Sequence, residues 1–198
     1  MNFIEKTFTI PVVPGISEKA FAEHLKLYAG YVKHANLIAA ELAKQSSAPE
    51  DLTPERVYAR NEMRRRFAFE FDGIRNHEYF FAQFEGGATG LAADSALALK
   101  INEVWGSFES WKSDFTATAL TRGIGWAILY HDPITNQLIN AWVDEQHIGH
   151  LTGLDVIVAF DIWEHAYLFD YIPAQKKEYV EALFNSLNWT VAERRYLA

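Results

Sequence analysis

The chain has 198 residues, 49% of them hydrophobic and 15% aromatic, which indicates a globular protein with a large buried core. It contains no cysteine, which excludes disulfides and thiolate metal sites, and its formal net charge of −8 argues against nucleic acid, whose phosphates require a basic face. No segment resembles a signal peptide or reaches membrane-spanning length, so we expect a cytoplasmic protein that does not insert into a membrane.

The N-terminal part predicts two long helices. The first begins after Ser17, a suitable N-cap, and runs to about Lys44. The second begins after Thr53 and runs to about Phe84. The polar loop between them, residues 45–52, is short, so we expect the two helices to form an antiparallel hairpin.

The glycine-rich segment 85–90 predicts the domain boundary, with a helical hairpin domain over residues 1–86 and a C-terminal domain over residues 87–198. Helical segments are predicted over residues 96–120 and again from Trp163 onwards. Between them the apolar pattern predicts three strands, Gly125–His131, Gln137–Val143 and Val156–Asp161. The predicted fold class is α+β, in which the C-terminal helices surround a small three-stranded antiparallel sheet.

Four side chains form a candidate metal site. Asp161 ends a predicted buried strand and His165 follows four residues later, so both would converge at a strand-to-helix corner. His24 and His77 lie on the apolar faces of the two long helices, where these helices would pack together. Three imidazoles and one carboxylate suit zinc, iron or manganese, with a coordination position left for water or substrate.

Two other interpretations stay open from the residues alone. Three histidines and an acid also suit a zinc hydrolase, although no carboxylate is placed as an obvious general base. Buried histidines can instead be core residues with satisfied hydrogen bonds, in which case the chain would be a metal-free interaction module.

Several motifs, in the same order along the chain, resemble the iron/manganese superoxide dismutases. The most specific is Asp161-Ile162-Trp163-Glu164-His165-Ala166-Tyr167, and Asn76-His77 resembles the family's second ligand segment. Further similar segments are Trp105–Lys112, Gly123–Trp126 and Asn188-Trp189.

The resemblance implies a role for each matching residue. The metal ligands would be His24, His77, Asp161 and His165. Tyr31 would be the gateway tyrosine, and Gln146, rather than its neighbour His147, would hydrogen-bond a metal-bound water. The residues implied to surround the site or to cross a dimer interface are Trp126, Trp163, Glu164 and Tyr167.

The resemblance also implies superoxide as substrate, a homodimer, and one manganese or iron ion per chain. Gly73 together with Gln146 is similar to the manganese-type arrangement, so manganese is slightly favoured.

This chain departs from the family pattern at three points. His24 and Tyr31 are seven residues apart instead of eight. Seven residues are about two turns, so both side chains would share one face of an uninterrupted α-helix. Tyr28 replaces a family histidine, and Lys176 or Lys177 replaces an arginine that attracts the anionic substrate.

Overall fold

The computed structural model describes residues 2–46 and 53–198; of the predicted loop, residues 47–52 lie outside the described part. Helix α1 (Glu18–Ser46) and helix α2 (Pro54–Ala82) have 29 residues each. They pack antiparallel: the ring of His24 contacts that of His77, whereas His34, later in α1, lies near Glu70, earlier in α2. The Ser17 hydroxyl accepts a hydrogen bond from the Ala20 backbone amide at 3.1 Å, as an N-cap does.

The C-terminal part begins with two short helices, α3 (Ala96–Trp105) and α4 (Phe108–Ala119). Serine caps start both of them, and Gly106 ends α3 in the left-handed conformation that glycine adopts at low cost. The remaining elements are strands β1 (Gly125–Asp132), β2 (Gln137–Asp144) and β3 (Asp155–Asp161), then helix α5 (Glu164–Tyr167), a 3-10 turn (Pro173–Gln175), and helices α6 (Lys176–Ser186) and α7 (Trp189–Tyr196).

The three strands form one antiparallel sheet in the order β2-β1-β3. The central strand β1 is buried from Gly125 to Tyr130, as its apolar sequence requires. Its register pairs Trp126 with Asp161, so the start of β1 lies beside the end of β3. The predicted α+β class, with a helical hairpin followed by helices around a three-stranded sheet, is confirmed.

Buried polar contacts fix the end of β3 relative to the helices. The side chain of Gln83, which follows α2, donates to the Ala159 carbonyl at 2.7 Å and accepts from the Ala159 amide at 3.2 Å. The Tyr179 hydroxyl of α6 donates to the Asp161 carbonyl at 2.9 Å. Because these groups are buried, breaking either contact would leave unsatisfied polar atoms in the core.

Among the described residues, no helix is long and apolar enough to cross a membrane. The domain boundary at residues 86/87 stays a prediction.

Candidate metal centre

Four side chains, one from α1, one from α2 and two from the end of β3 and the start of α5, lie close together. The Nε2 atoms of His24, His165 and His77 lie 3.0, 3.3 and 3.6 Å from Oδ2 of Asp161. One donor atom from each residue lies within 4.8 Å of every other. Donors about 2.1 Å from a shared ion, at angles of 90–110°, are roughly 3.0–3.4 Å apart. We call these four side chains the four-donor cluster.

The state of the imidazoles supports a cation at this position. The His77 ring donates from Nδ1 to the Gly73 carbonyl at 2.6 Å, because a carbonyl can only accept, and this leaves a lone pair on Nε2. Nε2 of His77 and Nε2 of His165 are both buried, and neither has a hydrogen-bond partner among the residues that the structure describes. The lone pair on Nε2 of His77 faces Oδ2 of Asp161 at 3.6 Å and repels it unless a cation lies between them, so the cluster fits a metal ion.

Burial determines the protonation of the cluster. Burial lowers the pKa of His77 to about 3, and it also lowers the pKa of His24, so both rings are neutral at pH 7. Burial alone would raise the pKa of the Asp161 carboxyl, but the neighbouring His165 and His24 lower it below its ordinary value. Neutral imidazoles and an ionised carboxylate are the forms that ligate metals.

Asp161 is oriented by its own backbone surroundings. Its Oδ1 accepts from the Trp163 amide at 2.8 Å, and its backbone carbonyl is held by Tyr179. Oδ2 therefore faces the imidazoles. The turn from β3 into α5 produces this arrangement, since His165 lies one helical turn after Asp161.

Gln146 is fully buried, and its side-chain amide links two other predicted site residues. The Trp126 indole Nε1 can only donate, so the atom 2.9 Å away is the Gln146 carbonyl oxygen Oε1. Nε2 of Gln146 then donates to the Tyr31 hydroxyl oxygen at 3.1 Å. The ring of Tyr31 lies 5.1 Å from that of His77, which places its hydroxyl beside the cluster.

The other residues implied at the site lie at different depths. The ring of Trp126 contacts His77 edge-on, with centroids 5.1 Å apart, and Trp163 stacks on His165 at 5.6 Å. Glu164 is exposed. Tyr167 is buried against Tyr179, with ring centroids 5.5 Å apart.

The structure shows where Tyr28 and Lys176 lie, two of the residues that depart from the family pattern. Tyr28 is fully buried; its hydroxyl accepts from the Lys6 amide at 2.9 Å and lies 3.3 Å from Glu78 Oε1, so it faces the N-terminal segment. The Lys176 ammonium donates to the Thr121 carbonyl at 3.2 Å and lies over the ring of Trp142.

Sequence reasoning assigned no role to Asn76, whose Nδ2 donates to the backbone carbonyl of Gln146 at 2.9 Å. It also missed Tyr179 and Gln83. Asn76 precedes the candidate ligand His77, and this position could have identified it as a residue near the site. The other two lie far along the chain from their partners, and no local pattern indicates them.

Gly73 lets α2 approach the ring of Tyr31. A Cβ added to Gly73 would lie 2.6 Å from Cδ1 of Tyr31, whereas nothing lies within 4 Å of a Cβ added to Gly30 of α1. We expect Gly73→Ala to destabilise the protein by about 1–3 kcal/mol because Tyr31 must shift in a packed site. Gly30→Ala should stabilise it by about 1 kcal/mol through helix propensity.

Urea unfolding of both variants measures this difference. The activity of the site should fall in Gly73→Ala, because the added Cβ moves Tyr31 away from Gln146. Equal stabilisation by both substitutions would show that the ring of Tyr31 moves freely.

Comparison with known proteins gives one consistent result. Residues 93–195 match the family model described as iron/manganese superoxide dismutases, C-terminal domain. The chain is 33% identical over 187 residues to a superoxide dismutase (Fe) of Cupriavidus metallidurans, covering 93% of this chain and 90% of that protein. It is 35% identical over 186 residues to superoxide dismutase (Mn) 2 of Haloferax volcanii, covering 92% and 88%. It is 31% identical over 183 residues to a superoxide dismutase (Fe) of Aquifex aeolicus, covering 92% and 84%.

Proposed function

The chain belongs to the iron/manganese superoxide dismutase family, and from this premise we propose how its own residues serve the reaction. As a member of that family it converts two superoxide anions and two protons into dioxygen and hydrogen peroxide, and it depends on manganese or iron. The observation that carries the placement of the ion is the four-donor cluster, in which two buried imidazole nitrogens lack any other partner.

A manganese or iron ion held by His24, His77, Asp161 and His165 would supply one-electron redox chemistry between its +3 and +2 states. The ligand roles of the four-donor cluster are our proposal. Three neutral imidazoles and one carboxylate contribute a single negative charge, which leaves the site cationic in either state. The Gly73 carbonyl holds the proton of His77 on Nδ1, and this contact fixes the ring so that Nε2 faces the cluster.

We propose that Tyr31 and Gln146 manage protons next to the ion. Because Gln146 donates to the Tyr31 oxygen, the hydroxyl proton of Tyr31 is free to donate elsewhere. Trp126 fixes the amide in the orientation that this contact needs. Tyr31 would therefore supply a proton to the reduced substrate, and the fixed amide would restore the hydroxyl to the same position after each turnover.

We propose manganese as the native metal. The support is the combination of Gly73, which leaves room on α2 for Tyr31, with a glutamine supplied by the segment after β2. The relatives include both iron and manganese enzymes, so the comparisons favour neither metal.

We propose a homodimer in which Glu164 and the region of Tyr167 face the partner. Glu164 is exposed although it lies between two members of the four-donor cluster. Leu168 and Phe169, which follow, are 47% and 49% exposed, and apolar side chains exposed near a site favour a partner surface. A cytoplasmic location stays a prediction from the sequence.

Metal analysis combined with reconstitution tests the proposed function. The purified protein should contain about one manganese or iron ion per chain, and removing the ion should abolish superoxide consumption. Refilling separate samples with manganese, iron and zinc should restore activity with manganese, and zinc should restore none because it has no redox chemistry. Zinc alone in the native protein, without superoxide turnover, would favour the hydrolase; a protein without metal would favour the interaction module.

A further inference from the structure

An open cavity of about 280 Å³ lies beside Tyr31 and Trp163. These two lining residues contact His77 and His165 of the four-donor cluster, with ring centroids 5.1 and 5.6 Å apart. We call this space the mouth cavity. It is open to solvent and is lined by two rings that contact the cluster, so we treat it as the entrance for a small anion.

Basic side chains line the mouth cavity although the whole chain carries a net charge of −8. Its lining contains Lys26, His34, Arg66 and the acid Glu70. The Lys26 ammonium pairs with Glu23 at 2.7 Å, which leaves Arg66 as the cation of interest. The Glu70 side chain is 7% exposed, whereas that of Arg66 is 49% exposed. The ion pair of these two residues therefore keeps its negative end buried and presents its positive end to solvent.

Arg66 is held in place but keeps hydrogen-bonding capacity. Its Nε donates to Glu70 Oε1 at 3.1 Å, and its guanidinium carbon lies 3.4 Å from the ring centroid of Phe69. Among the described residues, no acceptor contacts either terminal nitrogen of Arg66. A stacked guanidinium with free N–H groups is well suited to an oxyanion, since little side-chain entropy is lost when the anion arrives.

We propose that Arg66 guides superoxide into the mouth cavity, so that anion attraction in this enzyme comes from α2 and not from the lysines at the start of α6. The proposal rests on the proposed function, which supplies the substrate. Arg66 acts on the approach of superoxide and does not touch the reacting atoms. Lys176 does not line the mouth cavity, since its ammonium is bound to the Thr121 carbonyl.

The first test compares Arg66→Gln with Arg65→Gln in the metal-loaded protein. Arg65 immediately precedes Arg66 on the same helix and pairs with Glu62 outside the mouth cavity, so the control removes the same charge elsewhere. The second-order rate constant for superoxide decay is measured from low to high ionic strength by pulse radiolysis. Arg66→Gln should lower it about three- to tenfold at low salt. The loss should vanish near 1 M salt, where the screening length is about 3 Å.

Arg66→Lys should retain most of the rate, because it keeps the charge, and Arg65→Gln should follow the wild type. Parallel salt dependences for Arg66→Gln and Arg65→Gln would overturn the proposal. A loss in Arg66→Gln that persists at high salt would also overturn it, because that result indicates a structural defect instead of lost attraction.

A second experiment, fluorescence quenching, does not depend on enzymatic turnover of superoxide. Iodide and neutral acrylamide quench the fluorescence of Trp163, which is isolated by subtracting the signal of Trp163→Phe proteins. In the purified full-length protein, Arg66→Gln should reduce iodide quenching about twofold and leave acrylamide quenching unchanged. Equal iodide quenching with and without Arg66 overturns its role, whatever the activity. A normal iodide difference in a protein that consumes no superoxide would instead overturn the proposed function.

Discussion

Asp161→Asn should abolish superoxide turnover and lower metal affinity by more than about a hundredfold, since even residues that only orient metal ligands typically contribute 10–100-fold. The substitution preserves the shape of the side chain. It removes the only carboxylate of the four-donor cluster and places an amide next to the three imidazoles, so a bound cation would lose the single anionic donor of the cluster. Elemental analysis after dialysis against manganese or iron measures the loss directly.

Thermal unfolding gives an independent measure of the same change. A metal that binds only the folded wild type raises its stability by about 2.7 kcal/mol when the free ion is a hundredfold above the dissociation constant. The Asp161→Asn protein should show no such increase in stability when metal is added. Asp155→Asn, at the exposed start of the same strand, is the control. It should bind the metal and be stabilised by it as the wild type is. Full metal occupancy in Asp161→Asn would show that the cluster is not the metal site.

The helices and strands could be predicted from the sequence because their signals are local. The cap candidates Ser17 and Thr53 and the change in apolar spacing after residue 120 placed these element ends within a few residues of those observed. The candidate metal ligands could be predicted for the same reason. His24 and His77 lie on apolar helix faces, and Asp161 lies where an apolar strand ends.

The surroundings of the cluster depend on contacts between distant segments, which no local pattern encodes. Gln146 lies 115 residues after Tyr31 and 20 after Trp126, yet its side chain contacts both. The preceding residue, Glu145, has a φ of 51°, a left-handed conformation that is uncommon for residues other than glycine and that no sequence pattern here indicated. The position of Arg66 at the mouth cavity likewise depends on how α2 packs on α1, and the sequence directed attention to the lysines of α6.

Gln146→Leu should lower turnover per bound metal about 10- to 100-fold, the range found when groups next to metal ligands are removed. Leucine has a similar shape but cannot accept from the Trp126 indole or donate to Tyr31, so the hydroxyl of Tyr31 is no longer held beside the cluster. Each buried group left unsatisfied costs about 1–3 kcal/mol, so the free energy of unfolding should also fall.

Gln83→Leu separates the loss of activity from the loss of stability. Gln83 is as buried as Gln146 and also makes two side-chain hydrogen bonds, but both go to the backbone of Ala159 in β3. We therefore expect a similar destabilisation from both variants in urea unfolding, with activity per metal reduced only in Gln146→Leu. If the two variants lost activity equally, turnover would depend on the stability of the core, and Gln146 would have no separate part in moving protons.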